Sequence, residues 1–222
     1  MNFEQARFNM IEQQIRPWDV LDTDVLALLA VVRREDFVPP AYQSIAFMDT
    51  AVPLPSTTSP ALQHMLEPKV EARLLQELDV RKHERVLEIG AGSGYMAALL
   101  GHRAQHVTTL EIDRDLARFA RQNLARAGAM NVTVLEADGA AGLPDEGAFD
   151  VIVLSGSVAD VPAALLGQLK PGGRLVAVVG QWPIMRARLF TRGGEHDFRS
   201  VDLFDTVAPR LRNFPEPSRF HF

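Results

Sequence analysis

An apolar run that ends in alternating glycines, Arg85-Val-Leu-Glu-Ile-Gly-Ala-Gly-Ser-Gly94, restricts the possible folds more than any other stretch of the chain. Val86, Leu87 and Ile89 read as a buried strand, and Gly90, Gly92 and Gly94 make a turn that needs positive φ and bare main chain. A helix opening near Gly94 points free N–H groups at whatever lies against that turn. A strand, a glycine turn and a helix in this order predict parallel strands joined by helical crossovers, with ligands at the carboxyl ends of the strands.

The rest of the second half repeats the alternation. Apolar periodicity predicts strands over about 85–90, 106–112, 132–138, 149–156 and 173–180, with helices over about 94–100, 114–127 and 161–169. Asp113 is placed to cap the second helix and Gly128 to end it. Beyond the fifth strand, two β runs near 187–190 and 198–206 flank Arg192-Gly193-Gly194 with no helix between them, so they read as an antiparallel hairpin. The expected fold class is α/β: a Rossmann-like, doubly wound, mostly parallel sheet with that C-terminal hairpin and an N-terminal helical segment.

Residues 1–80 have a different texture. Phe8, Ile11 and Ile15 share a helical face, and Val25, Leu28, Leu29 and Val32 repeat with helical spacing after a cap at Asp22 or Thr23. Prolines 39, 40, 53, 55 and 60 make 39–60 a loop. Pro68 suits a first helical turn, followed by Val70, Leu74, Leu75 and Leu78 on one face. The expected division is a helical and loop segment over 1–80 that covers the substrate side, and a cofactor-binding domain over 81–222.

Composition excludes several classes of function. A net charge of −5 provides no general attraction to nucleic acid or to an anionic membrane. Without cysteine the chain has no disulfide, thiolate nucleophile or Cys-based metal site. That and the polar start suggest a reducing, cytoplasmic setting. The longest apolar run falls well short of the roughly 20 residues that span a bilayer. The histidines are scattered, and no metal site is expected.

Glu88 decides which ligand suits the turn. A carboxylate there repels a pyrophosphate but binds an amino group, such as that of the methionine half of S-adenosyl-L-methionine. Gly90, Ala91, Gly92, Ser93 and Gly94 would supply main chain. Glu111, with Ile112 beside it, ends the next strand about 20 residues on, where an acid accepts from ribose hydroxyls. Asp138 and Gly139 follow the third strand, where a carboxylate accepts from the adenine amine. Gly92-Ser-Gly94-Tyr-Met-Ala97 also fits a dinucleotide fingerprint, so NAD remains an alternative that Glu88 disfavours.

Glu88-x-Gly-x-Gly-x-Gly and Lys170-Pro-Gly-Gly173 resemble motifs of class I S-adenosylmethionine-dependent methyltransferases. Pro171 and the glycines there read as a helix stop and turn. Over nearly its full length the chain resembles the protein-L-isoaspartate O-methyltransferases, through Arg33-Arg-Glu-Asp-Phe-Val38, Ala41-Tyr42, the segment 49–55 and Val86 to Tyr95. The resemblance implies methyl transfer from S-adenosylmethionine to a carboxylate oxygen of isoaspartyl residues in a protein or peptide substrate.

That family holds its substrate with a Gly-Gln-Thr-Ile-Ser-x-Pro loop. Aligned through Pro68, the loop falls on Gln63, His64, Met65 and Leu66, which puts Leu66 where the family has serine. An alternative alignment makes Ser59 the catalytic serine. The closing Val-Pro-Leu becomes Ala208-Pro-Arg-Leu211. These departures keep two further readings open: a methyltransferase with another substrate, and a non-catalytic S-adenosylmethionine-binding module.

Overall fold

The glycine-ended run forms strand β3 (Arg85–Ile89) at the centre of a seven-stranded sheet. The structure is a computed structural model that describes residues 2–57, 63–194 and 197–217. On one side of β3 lie β4 (His106–Glu111) and β5 (Val132–Glu136); on the other lie β6 (Phe149–Val158) and β7 (Leu169–Gln181), all parallel to it. Strands β8 (Ile184–Arg192) and β9 (Phe198–Asp205) continue the sheet antiparallel. The order β5-β4-β3-β6-β7-β8-β9 reverses direction between β3 and β6, and such a reversal opens a crevice at the strands' carboxyl ends.

Alternation along the central strands divides the core between the two faces. Val86, Val151, Val153 and Val176 join one apolar cluster, while Leu87, Ile152, Leu154 and Leu175 join the other. The first face is covered by α3 (Pro68–Leu78), α4 (Tyr95–Arg103) and α5 (Arg114–Arg126). Its cluster also includes residues of α1 (Phe3–Met10) and α2 (Thr23–Val31), so the N-terminal helices share a core with the sheet. The second face carries the short α6 (Ala163–Leu166). Among the described residues no helix is long and apolar enough to cross a membrane.

Local signals explain the helix boundaries. Asp22 accepts from the N–H groups of Asp24 and Val25 to start α2, and Asp113 does the same for Asp115 and Leu116 at α5. Pro68 takes the first turn of α3, and Gly128, at φ +69°, follows the end of α5.

Four expectations need correction. Phe8 is exposed: α1 runs into a π turn at Ile11–Ile15, whose wider winding rotates Met10, Ile11 and Ile15 inward and leaves Phe8 outside. The span 39–60 is not wholly loop, because Pro40–Ile45 winds as a 3₁₀ helix and β1 (Val52–Leu54) pairs antiparallel with β2 (Gln63–Met65). The helix expected over 161–169 reduces to α6. Lys170-Pro-Gly-Gly173 lies inside β7 as a bulge, since Phe149 pairs with Leu169 and the next pair is Val151 with Arg174. A Cβ on Gly173 would come within 2.8 Å of the Lys170 carbonyl, so the second glycine is what lets this bulge close.

Candidate active site

The glycine turn is tied to the neighbouring strand end. The N–H groups of Gly90 and Ala91 donate to the Leu110 carbonyl at 2.8 and 3.2 Å. Gly90 has φ +95° and faces Leu211 of the C-terminal tail, whose side chain would be 3.0 Å from an added Cβ. Gly94, at φ +84°, packs against Leu124 and Ala120 of α5 just before α4 begins at Tyr95. The turn lines a cleft, and α4 opens beside it.

Three carboxylates from successive strands surround that cleft. Glu88 is fully buried; Thr109 Oγ donates to one of its oxygens at 2.6 Å and Ser155 Oγ to the other at 2.7 Å. Strand register places Thr109 directly opposite Glu88, and an irregularity in β6 between Val153 and Ser157 contains Ser155. Burial pushes the Glu88 carboxyl up to about 7, against the pull of those two hydroxyls and with help from nearby Glu71 and Glu111. Glu111 accepts from Gly92 N at 2.8 Å and Asp113 N at 3.0 Å, and burial again raises its pKa despite these bonds. Asp138 accepts from Ala140 N at 2.9 Å and Asn213 Nδ2 at 2.7 Å.

The opposite wall comes from distant segments. Leu54, Gln63, His64, Met65 and Leu66 line it from the β1–β2 hairpin and the residue after it. The segment after β1 is tethered to the start of α5: Ser56 Oγ donates to Asp113 at 2.7 Å and Thr57 N to Asp115 at 3.0 Å. The tail docks on the end of β6, where Ser157 N donates to the Pro209 carbonyl at 2.7 Å and Leu211 N to the Ser157 carbonyl at 2.9 Å. Pro209, Arg210, Leu211, Arg212 and Phe214 thereby reach the cleft.

Of the cofactor residues expected from sequence, Glu88, Gly90, Ala91, Gly92, Ser93, Glu111, Ile112, Asp138 and Gly139 all line this one cleft. Gly94 stands behind it, against α5. Gln63 and His64 line it as half-buried residues of β2, and Leu66 lines it with 4% of its surface exposed. Ser59 lies outside the described residues.

A buried ion-pair cluster escaped the sequence reading. Arg34 is fully buried, pairs with Glu71, and donates to the Leu66 carbonyl at 2.7 Å and the Ala46 carbonyl at 3.2 Å. Burial pushes Glu71 upward, with Arg34 opposing. Arg7 pairs with Glu35 in the same region. Tyr95 lays its ring 5.1 Å from the Arg34 guanidinium, and its buried hydroxyl has no partner among the described residues. Arg34 and Phe37 belong to the Arg-Glu-Asp-Phe segment noted above, but nothing in their spacing signals a charge carried into the core.

Comparisons with known proteins agree with this geometry. A family model described as protein-L-isoaspartate(D-aspartate) O-methyltransferase matches residues 5–202. The protein-L-isoaspartate O-methyltransferase of Rhodopseudomonas palustris is 42% identical over 198 residues, 88% of each chain. That of Methanoculleus marisnigri is 41% identical over 176 residues, 79% of this chain and 78% of the other. Among solved structures, a putative protein-L-isoaspartate O-methyltransferase from Plasmodium falciparum, in complex with S-adenosyl-L-homocysteine, is similar with a TM-score of 0.74 at 21% identity, over 96% of this chain and 99% of that one. Another protein-L-isoaspartate O-methyltransferase matches with a TM-score of 0.78 at 24% identity, over 91% of this chain and 65% of that one. At such identities the structural likeness speaks for the fold.

Proposed function

The chain belongs to the protein-L-isoaspartate(D-aspartate) O-methyltransferase family, and from that premise we propose that it methylates a carboxylate of isoaspartyl residues in damaged proteins, with S-adenosylmethionine as donor. The observation that carries the reading is the convergence of the glycine turn and three strand-end carboxylates on one cleft. Those groups suit a ligand with an ammonium, two ribose hydroxyls and an adenine amine, and they would repel the diphosphate of a dinucleotide. We assign the ammonium to Glu88, the ribose to Glu111 with Ile112, the adenine side to Asp138 and Gly139, and main-chain contact to residues 90–94.

S-adenosylmethionine, when bound, supplies an electrophilic sulfonium methyl. The chain's own residues then have a modest task. A substrate carboxylate is already ionised at neutral pH, so no general base is required. Rate comes from holding the acceptor oxygen in line and excluding water. Leu66 offers an apolar wall there and no hydrogen bond, which leaves Ser59 as the proposed hydroxyl. Residues 1–80 cover the substrate side through Leu54, Gln63 and His64, and a cytoplasmic location fits an acidic chain without cysteine.

The test has two arms. Calorimetry should detect S-adenosylmethionine and S-adenosylhomocysteine but not NAD. Mass spectrometry should find a methyl ester on an isoaspartyl peptide after incubation with S-adenosylmethionine; tight cofactor binding with no ester would transfer the proposal to another substrate.

A further inference from the structure

The C-terminal tail contributes two arginines, Arg210 and Arg212, to the lining of the cleft. Arg212 lies 3.7 Å from the Asp113 carboxylate. Arg210 is held differently. Its Nε pairs with Glu216 at 2.9 Å and its Nη2 donates to the Gly180 carbonyl at 2.9 Å, while Nη1 is buried with no partner among the described residues. Glu216 shares the guanidinium's charge, but the Nη1 group has lost its hydration without an acceptor in exchange, so an incoming carboxylate would satisfy it.

Position points the same way. The Arg210 backbone bridges Ser157 at the end of β6, two residues from the serine that donates to Glu88. Its neighbour Leu211 stands over Gly90 and Gly156, within 3.0 and 2.8 Å of where their Cβ atoms would be. The Arg210 backbone is therefore docked beside the turn, and its guanidinium is fixed by Gly180 and Glu216.

We propose that Arg210, through Nη1, binds the carboxylate that accepts the methyl group, and so makes substrate recognition depend on negative charge. The inference rests on the reading that this cleft methylates a carboxylate. It also joins the two departures from the resembled family: the loop has an apolar side chain at Leu66 where a hydroxyl is usual, and the tail carries an arginine within its Pro-Arg-Leu. A methyl ester has no charge, so the same contact weakens after transfer and favours product release.

The experiment titrates the protein, saturated with S-adenosylhomocysteine, with an isoaspartyl peptide and with its twin bearing a carboxamide in place of that carboxylate. The parent should prefer the carboxylate by about tenfold or more, the strength of one charge-assisted bond. Arg210→Gln should abolish the preference, and Arg210→Lys, a point charge without the planar fork, should reduce it several-fold. If the arginine only clips the tail in place, Arg210→Gln weakens both peptides equally and the carboxylate preference survives, which overturns the inference. A parent without preference also overturns it. S-adenosylhomocysteine affinity checks that the Gln variant is folded; if it is not, Arg210→Lys decides, and an unchanged preference there contradicts the assignment. A parent that prefers the carboxylate yet forms no ester refutes the proposed reaction while leaving Arg210 as an anion anchor. Ester formation with preference retained in Arg210→Gln refutes Arg210 alone.

Discussion

The two walls of the cleft are built on different principles. The wall proposed for the cofactor comes from consecutive strand ends between Glu88 and Gly139, and its carboxylates are already satisfied: two hydroxyls on Glu88, two backbone N–H groups on Glu111, an N–H and an amide on Asp138. The substrate wall joins the β1–β2 hairpin to a tail about 150 residues away in sequence, at the usual cost of long-range closure. It leaves two buried polar atoms without a hydrogen-bond partner among the described residues, Arg210 Nη1 on the tail and Tyr95 Oη against the N-terminal segment. A preorganised wall requires little rearrangement to bind a constant ligand. A wall with unpaired donors is one whose specificity can change without disturbing the sheet.

The contrast breaks most sharply at Gly92. This residue has φ +53°, and an added Cβ would sit 3.1 Å from Leu54, so Gly92→Val strains the backbone and fills the cleft at once. S-adenosylhomocysteine affinity should fall by about 100-fold or more, measured by calorimetry on a variant whose circular dichroism is unchanged. An unaltered affinity would remove the turn from the cofactor site.

On the substrate wall the largest effect should be on stability. Arg34→Ala leaves Glu71 buried without its partner and frees the Leu66 and Ala46 carbonyls, so unfolding in denaturant should show a loss of about 3–5 kcal/mol. The solvent-exposed pair of Arg186 and Asp202 serves as control, and breaking it should leave the denaturant midpoint nearly unchanged. Equal losses at the two sites would mean that Arg34 does not organise the wall.

Glu111→Ala should weaken cofactor binding by about 1–3 kcal/mol through lost charge-assisted hydrogen bonds. Glu136→Ala, one strand over and exposed, should change little. Identical affinities would dismiss Glu111 as the ribose acceptor.

A smaller effect should appear with pH. Glu88 is raised to about 7 in the folded chain, so it is largely protonated below that value, and an ammonium ligand binds better once it ionises. Cofactor affinity should therefore rise from pH 6 to pH 8, by at most about tenfold per unit, and level off above. The linked contribution to fold stability has the opposite trend: a raised carboxyl pKa favours the folded state below about 4.5 and loses that advantage as pH climbs through 7. In Glu88→Gln the affinity profile should be flat, and a slope that persists would assign the titration elsewhere.

What could be read from sequence follows the same division. That the glycine turn, Glu111 and Asp138 would meet at one cleft was legible because strand, turn and helix recur at short range, and each of these residues sits at a fixed offset from a strand end. Thr109 and Ser155 were not, since their role depends on strand register and on a bulge in β6. The β1–β2 pairing was hidden by prolines that ordinarily mark loops. The buried Arg34 was hidden by the rule that charges stay outside. The tail was visible only as an altered Ala-Pro-Arg-Leu, and its docking on Ser157 is a tertiary fact with no local signature. The π turn that exposes Phe8 likewise leaves no mark in a pattern of spacing.

In the proposed enzyme a standard cofactor wall serves a substrate wall altered at Leu66 and Arg210, and the pair still methylates isoaspartyl carboxylates. The most direct measurement is the rate of labelled methyl transfer from S-adenosylmethionine to an isoaspartyl peptide and to its normal aspartyl twin, for the parent and for Ser59→Ala. Transfer should reach the isoaspartyl peptide alone and fall by about 10²–10³ in Ser59→Ala, as when one positioned polar contact is removed. Equal transfer to both peptides, or none to either with the cofactor bound, would contradict this reading.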